Sequence, residues 1–169
     1  SIGMQQVVYE TLLRGQGDIV ERGSTMYAHS PWLEARKSVP IEEAPLISED
    51  RPSRIIKTHL PATHCPWSDE ARYIYVARHP VSCFASCVDF IATNVGAMAP
   101  PLSMTEDWFR SKEWMWWGTW PDHVQGWWKK AHANPNVLFL HFEDMKADLG
   151  SVVDQVASFL GVPALSEGE

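Results

Sequence analysis

The run Arg72-Tyr-Ile-Tyr-Val-Ala, followed at once by Arg78-His-Pro-Val-Ser-Cys-Phe-Ala-Ser86, restricts this chain more than any other feature. The first six residues are apolar, β-branched or aromatic except at the leading Arg, which predicts a short buried parallel strand. Pro80 suits the first turn of a helix, where its missing N–H removes nothing. A strand that ends in Arg and turns directly into a helix is the arrangement by which open α/β sheets hold ligands, just beyond the strand C-termini. The guanidinium of Arg78 offers a planar fork to phosphate oxygens, and Ser86 on the following helix adds a hydroxyl. Taken alone, the pair is weak evidence, and a surface Arg with a helix Ser is the commoner meaning.

The rest of the chain supplies the elements that such a sheet needs. Met4, Val7, Val8 and Leu12 recur at helical spacing before Gly15, predicting a helix over residues 2–14. Residues 17–52 contain four prolines, at 31, 40, 45 and 52, and read as loop with short helical pieces. Residues 54–57 and 136–141 read as two further strands. Helices are expected over 81–90 and through the tract 108–130, with a loop at 94–103 between them. That tract holds seven of the nine tryptophans. Leu149, Val152, Val153, Val156, Phe159 and Leu160 mark an amphipathic helix closed by Gly161 and Pro163. Strands alternating with helices imply a parallel sheet in a three-layer αβα domain.

With 169 residues the chain fits one domain, expected to run over 1–169. Its net charge of −7 and the lack of a basic run argue against a nucleic-acid surface, though a few local cations in a cleft can still hold a small anion. No apolar run of the ~20 residues that span a bilayer stands out, so no membrane segment is expected. The first residues carry no basic leader. Cys65, Cys83 and Cys87 are an odd count without the spacing of a disulfide framework, which fits a reducing compartment. His79, Cys83 and Cys87 share a helical face, but one C-x₃-C without a second pair does not make a zinc site. No metal is expected, and packing of reduced cysteines is the simpler account.

Four segments occur in a fixed order: Arg54-Ile-Ile-Lys-Thr-His59-Leu-Pro, Tyr73-Ile-Tyr-Val-Ala-Arg78-His-Pro, Trp117-Gly-Thr-Trp-Pro-Asp-His-Val-Gln-Gly-Trp-Trp128, and Phe139-Leu-His-Phe-Glu-Asp-Met-Lys146. In this succession the chain resembles the cytosolic-type sulfotransferases over about residues 1–161. That family takes a sulfuryl group from 3′-phosphoadenosine 5′-phosphosulfate (PAPS) and leaves adenosine 3′,5′-bisphosphate. The resemblance implies an α/β fold like that of P-loop nucleoside-triphosphate hydrolases. It also implies a cytoplasmic enzyme acting on a hydroxyl or amine of a small acceptor, and it allows a homodimer. In the family a strand and a Lys-Ser-Gly-Thr-Thr-Trp loop precede the first helix, and an Arg-Lys-Gly segment follows the last. Neither is among these residues, so the domain is expected to be incomplete at both ends. An inactive nucleotide-binding relative, or a fragment of an active enzyme, is the alternative. A kinase would need a phosphate loop with a Mg²⁺ site, and neither is visible.

The chemistry calls for a base, cations at the moving SO₃ group and a clamp on the leaving nucleotide. His59, just past a predicted strand end, titrates in the right range for the base. A histidine that merely caps the strand is the competing reading, and the match of Lys-Thr-His-Leu-Pro to the family favours the base. Lys57 alternates with His59, so both side chains take one face, placing an ammonium beside the imidazole. By resemblance, Arg78 and Ser86 hold the 3′-phosphate, and Ser1 touches the 5′-phosphate. Phe142 stands where the family often has Tyr, and would stack near the adenine without a hydroxyl. Trp114, Trp116 and Trp117 are candidates for lining an apolar acceptor pocket. His123 reads as structural. Glu143 and Asp144, as adjacent strand-end residues, are not expected to act as an acid–base pair.

Overall fold

The computed structural model describes residues 2–20, 23–35, 39–48, 52–163 and 166. In chain order the elements are α1 (Ile2–Leu12), α2 (Met26–His29), β1 (Tyr73–Ala77), α3 (Pro80–Val95), α4 (Leu102–Arg110), α5 (Trp120–Ala133), β2 (Val137–His141), α6 (Phe142–Ala147) and α7 (Leu149–Leu160). Short 3₁₀ turns occur at Ile41–Glu43 and Gly96–Met98. The chain divides into two compact units, Ser1–His59 with Asp148–Glu169, and Leu60–Ala147.

The first unit is built on α1 and α7, which pack together. Tyr9, Ile19, Met26, Ile47 and Ile55 form its apolar core, with Val8, Leu12 and Leu13 against it. On α7, Val152 and Val156 are 1% and 0% exposed, the burial that its apolar spacing demands. The ends of α7 follow the capping rules. Asp148 Oδ1 accepts the Ser151 N–H, and Gly161, at φ 68°, lets the Val162 N–H reach the carbonyl of Ala157. α1 stops at Leu12 rather than residue 14. Arg14 and Gly15 both take positive φ, and the Gly15 N–H turns back to the carbonyl of Glu10. Gly17 then lies so close under α1 that its N–H donates to Glu10 Oε2 at 3.0 Å, and a Cβ there would collide with the Tyr9 ring and the Glu10 carboxylate.

Residues 54–57 do not form the expected strand. Lys57 makes one parallel bridge to Trp32, its N–H donating to the carbonyl of Pro31 and its carbonyl accepting from Leu33. Pro31 has no N–H with which to extend the ladder. Arg54 instead spends its guanidinium on the carbonyls of Ala44 and Glu42.

The second unit carries a two-stranded parallel sheet among the described residues, with Tyr73 opposite Val137 and Ala77 opposite His141. Period-two alternation puts Tyr73, Tyr75, Val137 and Phe139 on one face, where Trp127 of α5 lies against them. Tyr75 stacks on Trp127 with ring centres 5.5 Å apart, and the Trp127 indole N–H donates to the carbonyl of Leu60. α5 starts where a capping rule places it. Thr119 Oγ1 accepts the Asp122 N–H and donates to the Asp122 carboxylate, and Pro121 occupies the first turn.

Two helical expectations change in this unit. α3 runs to Val95, and with the 3₁₀ turn it makes a 19-residue helical stretch of mean hydropathy 1.4, long and apolar enough to cross a membrane by length and composition alone. Here it connects β1 to α4, touching α4 through the Phe84 and Phe109 rings. The expected loop at 94–103 is therefore largely helical, and the tryptophan tract is broken between Arg110 and Trp120. Gly118, at φ 79°, sits in that break. Clustered tryptophans carry an apolar signal whether helical or looped, which is why their spacing did not reveal it.

Candidate active site

In the first unit, Lys57 and His59 both pack on Trp32. The Lys57 ammonium lies 4.8 Å from the centre of the Trp32 ring and 5.5 Å from that of Tyr27, while Trp32 meets His59 edge-on at 5.0 Å. Both residues thus meet one indole, on a segment that forms a single bridge rather than a strand. Burial pushes the lysine below its usual range, and the carboxylate of Glu34 opposes that shift. Glu34 also accepts the His59 backbone N–H through Oε1 at 2.6 Å, which fixes the loop carrying the imidazole. Its other oxygen is buried without a hydrogen-bond partner among the described residues. The site therefore offers one adjustable cation, one imidazole and one carboxylate against an aromatic wall.

In the second unit, Arg78 stands at the end of β1, as its sequence predicts. Its guanidinium carbon lies 4.4 Å from the centre of the Phe142 ring, its Nε donates to Ser82 Oγ at 3.0 Å, and its carbonyl accepts the Trp120 indole N–H at 3.0 Å. Its terminal nitrogens bond to no described residue. Ser86 is exposed on α3, one helical turn beyond Ser82. Two parallel N–H donors on a permanent cation match the paired oxygens of a phosphate or a carboxylate. Phe142, expected near an adenine, has one ring face under the guanidinium. It opens α6, so Glu143 and Asp144 lie on a helix rather than at a strand end. The Glu143 carboxylate accepts the His79 backbone N–H, and that bond holds its pKa down. Ser1 lies outside the described residues.

Other sequence candidates take structural places. His123 hydrogen-bonds the Tyr75 hydroxyl at 3.0 Å, and burial raises the tyrosine's pKa. Burial likewise raises the pKa of Cys83 and of Cys87, and the three cysteines are free thiols. Trp114 and Trp116 are 69% and 75% exposed, and Trp116 contacts both Trp108 and Trp117 edge-on.

Sequence reasoning missed Trp32, Glu34, Ser82 and Trp120. Only Ser82 carried a local signal, standing four residues after Arg78 where a helix follows a strand. Glu34 and Trp120 act across 25 and 42 residues.

The family model described as "Sulfotransferase domain" matches residues 4–169. Among curated proteins, cytosolic sulfotransferase 1 of Danio rerio is 33% identical over 147 residues, which is 81% of this chain and 47% of that protein. Sulfotransferase 1C2 of Homo sapiens is 31% identical over 166 residues, covering 94% of this chain and 54% of that protein. The chain thus spans about half the length of the curated relatives it matches. Among solved structures, retinol dehydratase in complex with androsterone and inactive cofactor PAP superposes with a TM-score of 0.76 at 21% identity, over 99% of this chain and 57% of that one. Mouse sulfotransferase SULT7A1 complexed with PAP gives 0.67 at 20% identity, over 97% and 56%. The fold is therefore the α/β, P-loop-like fold of these neighbours, with its parallel sheet.

Proposed function

This chain belongs to the sulfotransferase domain family, and from that premise we propose that it carries part of the machinery for moving a sulfuryl group from PAPS to a small acceptor. Residues 1–169 would belong to one such domain, acting in the cytoplasm on an acceptor that bears a hydroxyl or an amine. When bound, PAPS supplies an activated sulfuryl group on a phosphate leaving group. His59 would take the acceptor's proton on the side of the acceptor that meets the sulfuryl group. Lys57 offsets the charge on the sulfuryl oxygens. Arg78 and Ser86 hold the 3′-phosphate, and Ser1 would meet the 5′-phosphate. Phe142 supports Arg78 in this scheme, and the exposed Trp114 and Trp116 suit an apolar acceptor.

The observation that carries the reading is the pairing of Lys57 with His59 on the Trp32 wall. An imidazole beside a half-desolvated ammonium is a base next to a charge that counters a developing anion. Transfer of radiolabelled sulfate from PAPS to phenol and alcohol acceptors tests it directly. His59→Ala should lower turnover by about 10²–10⁴-fold, the usual worth of a general base, with adenosine 3′,5′-bisphosphate still bound. Undiminished turnover would remove His59 from the mechanism, and no transfer by the unaltered full chain would leave a nucleotide-binding relative.

A further inference from the structure

Arg78 is held at three points, and none of the residues that hold it was assigned a part above except Phe142. Ser82 takes the Nε hydrogen at 3.0 Å. The ring of Phe142 lies under the guanidinium plane at 4.4 Å, and the Trp120 indole N–H grips the Arg78 carbonyl at 3.0 Å. Ser82 is itself anchored, its hydroxyl hydrogen going to the carbonyl of His79 at 3.2 Å. Its lone pairs are then left to accept, so the Arg78–Ser82 bond has one polarity and one geometry.

We infer that Ser82, Phe142 and Trp120 are positioning residues that preset Arg78 for a phosphate. This rests on the reading of Arg78 as the ligand of the nucleotide's 3′-phosphate. An arginine side chain has many rotamers, and freezing them on binding weakens the complex. Here the rotamers are already restricted. The bond at Nε fixes the rotation of the fork, the ring supports one side of it, and the indole fixes the backbone from which it springs. The two terminal nitrogens are what remains, and two parallel N–H groups match two phosphate oxygens. Ser86, one turn past Ser82 on the same helix, adds its hydroxyl on that side. The residues that hold the fork need not touch the nucleotide.

The test compares two nucleotides on the full chain by calorimetric titration: adenosine 3′,5′-bisphosphate, and adenosine 5′-phosphate, which lacks the 3′-phosphate. Ser82→Ala should weaken the bisphosphate about tenfold, the order expected for one hydrogen bond to a charged group, and leave the monophosphate unchanged. Ser82→Thr, which keeps the hydroxyl, should restore the difference. In an Arg78→Ala background the Ser82→Ala effect should vanish. Equal weakening of both nucleotides would show a structural role and overturn the inference. So would a selective loss in Arg78→Ala with none in Ser82→Ala. If Arg78→Ala itself leaves the bisphosphate as tightly bound as before, the reading of Arg78 fails, and the inference falls with it.

Discussion

Lys57 and Arg78 are both cations laid on aromatic rings, one in each unit, and the rings affect them differently. Lys57 is a compact ammonium between Trp32 and Tyr27, half-buried, and its loss of hydration is only partly offset by Glu34. Arg78 lies over the Phe142 ring with its Nε already bonded. A guanidinium is weakly hydrated and spreads its charge, so an aromatic face is an easy neighbour, whereas an ammonium surrenders strong hydration to sit there. The consequence is a division of labour. An adjustable charge suits the place where charge develops during a reaction, and a permanent fork suits the place where a phosphate must stay.

The comparison can be broken most severely at Lys57. Lys57→Met should reduce turnover about 10²–10³-fold, as loss of one group that stabilises developing charge does, with bisphosphate affinity changed no more than about twofold. A large loss of affinity with normal turnover would erase the contrast. Arg78→Lys should do the opposite, weakening bisphosphate binding about tenfold in titration while turnover at saturating PAPS holds, because a point charge cannot copy the fork.

Alkaline pH sharpens the same contrast. The folded-state pKa of Lys57 is below its unfolded value, so between the two the unfolded chain binds more protons. Stability from this group accordingly rises with pH across that window. Turnover should fall as the pH rises through the lowered value, since the ammonium is then lost. Glu34→Gln keeps the acceptor for the His59 N–H but removes the charge that opposes the shift, and should move the alkaline limb of the pH–rate profile to lower pH. An unmoved limb would separate Glu34 from Lys57.

The smallest effect concerns Glu143. Its lowered pKa means that its contribution to stability is present above the usual glutamate value and is lost as pH falls through the folded one. Glu143→Gln should lower the melting temperature slightly at neutral pH, and the difference from the parent chain should close in acid. A gap that persists at low pH would assign the effect to something other than charge.

Legibility varied with the range of the cause. The end of α7 could be read to the residue, because its apolar stripe and its Gly161 stop are local. β1 and β2 were equally plain, since buried parallel strands are short apolar runs whatever surrounds them. Residues 54–57 carry only a pair of isoleucines between two charges, and whether they become a strand depends on a neighbour that is interrupted by Pro31. In the site, Lys57 next to His59 and Arg78 ahead of Ser86 follow from spacing. The roles of Glu34 and Trp120 do not, because a side chain that reaches across 25 or 42 residues leaves no mark in either local sequence.

Gly17 has a consequence for how this chain tolerates change. Its carbonyl faces the Tyr9 hydroxyl at 3.5 Å, its N–H is held by Glu10, and the space a methyl group would need is filled by those same two side chains. In a saturation library, alanine at this position should therefore be as poorly accepted as far larger residues, since the first added carbon is already too many. Only a compensating truncation at Tyr9 or Glu10 would reopen the position, so substitutions there should surface in pairs.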